Sequence, residues 1–170
     1  MNNKKSILHP IKIRNLHEDD YKAVLKWSRD DTFCEANGWE LNRNEQELYK
    51  WWLHCVNLES KDSVRLGILL EDKLVGYVDL AHIKNNTAEI GIAIGERIVW
   101  GKGIGTSSIL CMMKYASKKF GITTFDAETH EGNIRSRKML KKVGFIEISR
   151  IGHEDYLGID DQLIQYRFYK

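Results

Sequence analysis

The sequence predicts one mixed α/β domain in which an antiparallel β half meets a βαβ-like half. Three observations carry this expectation. Segments Val64–Leu70, Leu74–Ile83 and Thr87–Gly95 read as strands and are joined only by Glu71-Asp72-Lys73 and Lys84-Asn85-Asn86. Links that short make antiparallel hairpins, because a parallel connection needs a crossover of about a dozen residues or more. A glycine-rich loop, Trp100–Gly105, then opens a long helical segment that leads to a further strand. Finally, 170 residues with a single proline (Pro10), no Ser/Gly-rich linker and no internal repeat suit one domain, residues 1–170.

The elements follow in order. Ile11–Arg14 is a first strand, Ile11 and Ile13 alternating with Lys12 and Arg14. Glu18–Arg29 is a helix with Glu18, Asp19 and Asp20 in its first turn, where the macrodipole favours negative charge. Tyr21, Val24, Leu25 and Ser28 form its inward stripe. Asn44–Val56 is a second helix, and Asn44 with Glu47 three places on resembles a capping box. Leu48, Trp51, Trp52 and Val56 share one face, with Trp52 read as core. After the three hairpin-linked strands, the loop helix ends near Lys119, and Gly121 is its stop. Thr123–Thr129 is a strand, Asn133–Val143 a helix stopped by Gly144, and Phe145–Ser149 and Gln162–Phe168 are closing strands. His153-Glu154-Asp155-Tyr156 reads as an exposed loop.

Composition narrows the function. Hydrophobic residues make up 42% and charged residues 29%, as in a soluble globular domain. The net charge is only +2, with no basic stripe of the kind nucleic-acid binders carry; Lys4-Lys5 is too short, and Lys141-Lys142 reads as a solvated helix face. Cys34, Cys55 and Cys111 are odd in number and widely spaced, which argues against a disulfide framework or structural zinc and fits a reducing compartment. Met1 to Lys12 hold no apolar leader, and no apolar run approaches the ~18 residues of a membrane span, so the expected location is the cytoplasm, away from membranes. His54, His82, His130 and His153 lack metal-site spacing, and no metal is expected.

The chemistry centres on Trp100-Gly101-Lys102-Gly103-Ile104-Gly105-Thr106. Glycines allow positive φ and close approach of backbone to ligand, a helix start offers unpaired N–H groups to a phosphate, and Lys102 adds a cation. Taken alone, the same loop is equally a turn whose glycines serve only its geometry. A Walker A loop needs GxxxxGK[ST], which is absent. A dinucleotide fingerprint needs GxGxxG; Gly101 and Gly103 fit, with Asp126 downstream, but Thr106 stands at the third glycine. Three preceding hairpin-linked strands also disfavour a doubly wound sheet and an oxidoreductase built on one.

Two segments then resemble the GNAT acetyltransferase superfamily. Ala88-Glu89-Ile90-Gly91-Ile92-Ala93-Ile94 with Trp100–Thr106 is similar to its central motif, Gln/Arg-x-x-Gly-x-Gly/Ala; Gly103 and Gly105 match, and Trp100 departs at the first position. Asn133-Ile134-Arg135-Ser136, running on to Gly144-Phe145, resembles its N-x-x-S…G-F segment. Within the superfamily, the chain looks most similar to the branch holding ribosomal-protein N-terminal acetyltransferases, which also holds polyamine and antibiotic acetyltransferases. The resemblance implies a mostly antiparallel sheet with helices on both faces and a strand that splays away to leave a cofactor cleft. It implies acetyl-CoA as co-substrate, its pantetheine arm held by backbone at Ile92, Ala93 and Ile94 and by Asn133 with Ser136 nearby, and its pyrophosphate by Gly101, Lys102, Gly103, Ile104, Gly105 and Thr106. Without the resemblance, Asn133 reads as a helix N-cap.

Direct transfer to a primary amine needs a base, since a lysine amine has a pKa of about 10.4 and an α-amine about 8. Glu89 is the first candidate, Asp79 and Glu128 lesser ones; each could equally be an ordinary strand carboxylate. Leu140 stands where many members carry a tyrosine acid, so that donor is missing. The expected acceptor is a small-molecule amine (polyamine, amino sugar or antibiotic) or a protein N-terminus, and a homodimer is compatible with the sequence. The alternative is a catalytically degenerate acyl-CoA-binding module, with the dinucleotide-binding oxidoreductase a third reading.

Overall fold

The structure, a computed structural model, describes residues 10–170; Lys4-Lys5 and the rest of the opening stretch to His9 lie outside the described residues. The described residues form eight strands: β1 (Ile11–Asn15), β2 (Val64–Leu70), β3 (Lys73–Lys84), β4 (Thr87–Ile94), β5 (Thr124–His130), β6 (Ile146–Ser149), β7 (His153–Tyr156) and β8 (Ile159–Tyr169). The α-helices are α1 (Tyr21–Ser28), α2 (Asp31–Asn37), α3 (Glu45–Val56), α4 (Ile104–Phe120) and α5 (Ile134–Val143).

The sheet runs β1-β2-β3-β4-β5-β8-β6, with β7 pairing only with β8 as a hairpin arm. Among the described residues, every pairing is antiparallel except β4 with β5. That parallel pairing joins only Thr87–Glu89 to Thr124–Asp126. Past it, β4 stays with β3 as far as Ile94 opposite Gly76, while β5 stays with β8 as far as His130 opposite Leu163. Each strand follows its outer partner, and the sheet opens into a wedge between Ile90–Ile94 and Ala127–His130. The expected mixed architecture and strand separation are both present.

Strand alternation gives the sheet two apolar faces. On one, Ile68, Val78, Leu80, Ile90, Phe125 and Ile164 pack against Ile109, Met112 and Ala116 of α4 and Leu140 of α5. On the other, Tyr77 and Ala93 pack under α1–α3 through Val24, Trp27, Phe33, Leu48 and Trp52. Trp27 and Trp52 are essentially inaccessible, and burying a large apolar side chain contributes about 1.5–3 kcal/mol. Trp27 lies so close to the end of β4 that a Cβ on Gly95 would sit 2.0 Å from its ring.

Some local details differ from expectation. A 3-10 turn, Glu18–Asp20, precedes α1. Helix α2 is too short for its period to stand out in sequence; the Asp30 side chain caps it by accepting from Phe33 N, and Gly38 ends it at φ 65°. Asn44 caps α3 by accepting from Gln46 N and Glu47 N, so only one arm of the anticipated capping box forms. His153–Tyr156 is strand β7 rather than a loop; its side chains are mostly exposed, which hides it from any pattern of burial.

Candidate functional site

A cleft of about 550 Å³ enters the wedge. Its walls are the β4 edge, the loop before α4 and the first turns of α5, and it reaches Ala36 and Asn37 at the end of α2. Gly101 and Gly103 hold φ at 75° and 85°, the left-handed region that favours glycine, and a Cβ on either would meet nothing within 4 Å. Their requirement is therefore conformational, and the space above them is the cleft. The first intrahelical bond of α4 is Ser107 N–H to Gly103 O at 3.0 Å. The N–H groups of Ile104, Gly105 and Thr106 precede it and lack helical partners, and Ile104, Gly105 and Thr106 line the cleft. Gly105 serves packing instead. A Cβ there would stand 2.8 Å from Met139 Sδ, so its bareness lets α4 approach α5.

The side chain expected to add positive charge, Lys102, is exposed and does not line the cleft. Positive charge comes instead from Arg135, Lys138 and Lys142 of α5, whose i, i+3, i+7 spacing puts them on one helix face. That spacing is present in the sequence, but without the fold Lys142 reads only as part of a solvated face. Among the described residues, no carboxylate lines the cleft.

Along β4, Gly95 N–H donates to Val75 O at 2.8 Å, and a Cβ on Gly76 would lie 2.2 Å from Ala93 O. Peptide groups of Ala93 and Gly95 therefore point toward β3, and alternation turns those of Ile92 and Ile94 toward the wedge. Ala93 does not present its backbone there. The Ile94 carbonyl is already engaged, accepting from Trp100 Nε1 at 2.7 Å. The Arg135 guanidinium lies 3.6 Å from the Trp100 ring centroid, so loop and α5 meet across the cleft mouth. Asn133 is the N-cap of α5, its Oδ1 accepting from Ser136 N at 3.1 Å, and its side-chain nitrogen has no partner among the described residues. Both Asn133 and Ser136 line the cleft.

Glu89 sits where β4 and β5 part, opposite Asp126. Alternation places it with Gly91 and Ala93 on the sheet face opposite α4, away from the cleft wall formed by Ile92 and Ile94. It is half exposed, its Oε2 is 3.8 Å from His82 Nε2, and it makes no hydrogen bond among the described residues. Gly91 beside it is open: a Cβ there would touch only Asp79 Cβ, at 4.0 Å. The other two carboxylates are committed. Asp79 takes two bonds from Arg65, at 2.6 and 2.9 Å, and Glu128 accepts from Gln165 Nε2 at 2.7 Å. Arg65 also stacks on Tyr77 at 4.6 Å. Burial pushes the Tyr77 phenol up to about 12, against the pull of Arg65, so it stays neutral at ordinary pH. Leu140 is 3% exposed and packs in the core beneath α4.

Among the described residues, no group of three or more His, Cys, Asp or Glu is arranged to hold a metal, and no helix is long and apolar enough to cross a membrane. Residues 11–146 match the family described as acetyltransferase (GNAT) domain. An uncharacterised protein of Methanocaldococcus jannaschii is 31% identical over 144 residues, covering 78% of this chain and 27% of that protein. Human alpha/beta-tubulin-N-acetyltransferase 9 is 28% identical over 137 residues, covering 78% of this chain and 56% of the relative. The chain thus spans about a quarter and about half of those two relatives. In fold, spermidine N-acetyltransferase from Vibrio cholerae, solved with CoA and spermine, superposes with a TM-score of 0.79 at 16% identity, covering 94% of this chain and 95% of that one. A mixed sheet opened at a single parallel seam, a left-handed glycine loop at the start of α4 and a family match from residue 11 to residue 146 lead to one assignment: the chain belongs to the GNAT acetyltransferase family.

Proposed function

We propose that the chain transfers the acetyl group of acetyl-CoA to a primary amine by direct attack, in the cytoplasm. The observation that carries this reading is the wedge itself. Its loop end offers unpaired N–H groups and cations but no carboxylate, and its far side carries one uncommitted carboxylate, Glu89. When bound, acetyl-CoA supplies an activated thioester. The N–H groups of Ile104, Gly105 and Thr106 hold its pyrophosphate, while Gly101 and Gly103 shape the turn. Free peptide groups at Ile92 and the Ile94 N–H hold the arm, with the Asn133 amide and Ser136 beside it. A peptide N–H pointing into the wedge also suits an oxygen that gains charge in the transition state.

Glu89 takes the amine proton, directly or through one water. The acceptor approaches over Gly91, the open face beside Glu89. A protein N-terminus, a polyamine and an amino sugar or antibiotic all present such an amine, and the pKa of that amine sets how strongly the rate leans on Glu89. With Leu140 in the core, thiolate protonation falls to water or to Ser136.

The test is an amine panel read by thiol release, followed by Glu89→Gln with the best acceptor. The variant should bind acetyl-CoA normally and lose turnover by about 10²–10⁴-fold, the usual size of a general-base contribution. Superimposable pH profiles of kcat/KM at equal height would remove Glu89 as the base. Because Trp100 already occupies the Ile94 carbonyl, a silent acyl-CoA-binding module is the second reading. It would be favoured by tight acetyl-CoA binding with no thiol release from any amine.

A further inference from the structure

We infer that His82, turned out of β3 by a bulge, is the relay that carries the acceptor's proton from Glu89 to solvent. The inference rests on the transferase reading above, with Glu89 as base, and names a further residue of that site. Between Ala81 opposite Glu89 and Lys84 opposite Thr87, β3 has two residues, His82 and Ile83, where β4 has one, Ala88. Such a two-against-one bulge re-aims a side chain. Leu80 and Ile83 both pack into the cluster that holds α4, although strict alternation would put them on opposite faces. His82 is the inserted residue, and its ring lies beside Glu89. Its φ is 51°, in the left-handed region, where the first residue of a bulge is ordinarily glycine. Ile83 N–H holds the bulge by donating to Asp62 O at 2.9 Å, and Thr87 Oγ1 donates to Lys84 O at 2.9 Å. A glycine would meet the backbone demand without strain, so the imidazole is what the histidine adds.

The partners on this face set Glu89 apart from the other carboxylates. Asp79 and Asp126 are each held by two nitrogens of an arginine, Arg65 and Arg167, and Glu128 accepts from the Gln165 amide. Arginine keeps its proton throughout the physiological range, so a carboxylate tied to it cannot hand a proton on through it. Among the described residues, the one basic side chain within 4 Å of the Glu89 carboxylate is His82, whose Nε2 is 3.8 Å from Oε2. Imidazole takes up and releases a proton near neutral pH. At 3.8 Å the two groups are not yet hydrogen-bonded, but the side chains are 80% and 48% exposed, so a small swing of the ring closes the gap. The N–H bond of the acceptor ammonium breaks as its proton passes to the Glu89 carboxylate, directly or through one water. The Glu89 O–H bond then breaks as the proton passes to His82 Nε2. The imidazolium releases a proton to bulk water, and Glu89 is again a carboxylate for the next turnover.

The experiment is the pH profile of kcat/KM for the full chain, His82→Gly, His82→Asn and Glu89→Gln, read by thiol release with the best acceptor of the amine panel. Glycine and asparagine both suit a left-handed position, so both His82 variants should keep a Tm close to the wild type's and bind acetyl-CoA as it does. At neutral pH their turnover should fall by about tenfold or more, a part of the whole general-base contribution. The loss should shrink as pH rises, because hydroxide then clears the proton from Glu89. Free imidazole should restore His82→Gly and leave Glu89→Gln unrepaired. A chain that acetylates no amine of the panel, or whose Glu89→Gln profile matches the wild type's, overturns the base assignment above and this inference with it. Where Glu89→Gln is impaired, wild-type profiles for both His82 variants, or a loss that neither alkaline pH nor imidazole repairs, overturns this inference alone.

Discussion

Replacing Gly103 separates the backbone demand of the loop from its use. At φ 85° and ψ 4° a non-glycine residue sits in the left-handed region, at a cost of about 1–2 kcal/mol. No steric cost is added, because a Cβ there meets nothing within 4 Å. Gly103→Ala should therefore fold with a Tm lowered by roughly 2–8 °C, given about 2–4 °C per kcal/mol for a chain of this size. Gly103→Val should fall further, since β-branched residues tolerate positive φ worst. Gly103 lines the cleft next to the free N–H groups of α4, so either side chain adds bulk at its wall. Saturating acetyl-CoA at about a hundred times its Kd should stabilise the wild type by about 2.7 kcal/mol. In Gly103→Val that stabilisation should vanish. The assay is thermal unfolding with and without acetyl-CoA, cross-checked by titration. A folded Gly103→Val whose Tm rises with acetyl-CoA as the wild type's does would refute the assignment of this loop.

Two further perturbations test the core on either side of the sheet. Leu140→Ala should cost about 2–5 kcal/mol in urea unfolding, while turnover per folded molecule changes little, because the residue packs and donates no proton; a stable variant with activity lost by orders of magnitude would contradict this. The Tyr77 phenol is held up at about 12 against about 10 in the unfolded chain, so the folded state keeps its proton longer. Its contribution is complete below pH 10 and is lost as pH rises toward 12, a decline of about 2–3 kcal/mol. Tyr77→Phe should be less stable at neutral pH, having lost the acceptor for Trp39 Nε1, and should decline less steeply between pH 10 and 12; equal slopes would show that Tyr77 ionises freely.

The strands flanking short polar turns are legible in the sequence because period-two alternation and three-residue links leave few other arrangements. The boundaries of β2 match the expected Val64–Leu70. Trp52 is legible as core for a similar reason, since helical spacing fixes which side a residue faces. What escapes is decided by partners distant in sequence. Strand β7 exists only because β8 returns beside it. The turning of Ala93 away from the wedge depends on the β3 register, which a residue pattern does not specify. Lys102 and Arg135 exchange places for a related reason: proximity to the glycines in sequence favours Lys102, while the α4–α5 packing through Gly105 and Met139 brings a different helix to the mouth.

The three rungs between Thr87–Glu89 and Thr124–Asp126 also bear on temperature. Beyond them, the two halves of the sheet are joined by apolar packing, with Ile109, Met112 and Ala116 of α4 lying under Ile90 on one side and Phe125 and Ile164 on the other. Backbone pairing and apolar contact respond differently to cooling, because the hydrophobic contribution weakens as temperature falls. The join leans on apolar contact without the backbone ladder that also closes the hairpins, so it should be the first part to loosen on cooling. On chilling, amide exchange should rise first in Ile90–Ile94 and Ala127–His130, while the hairpins of β2–β4 stay closed. A ligand in the cleft would rest on the Ile92–Ile94 lip and on α5, because no residue of β5 lines it, so its protection should fall on β4 rather than on Ala127–His130.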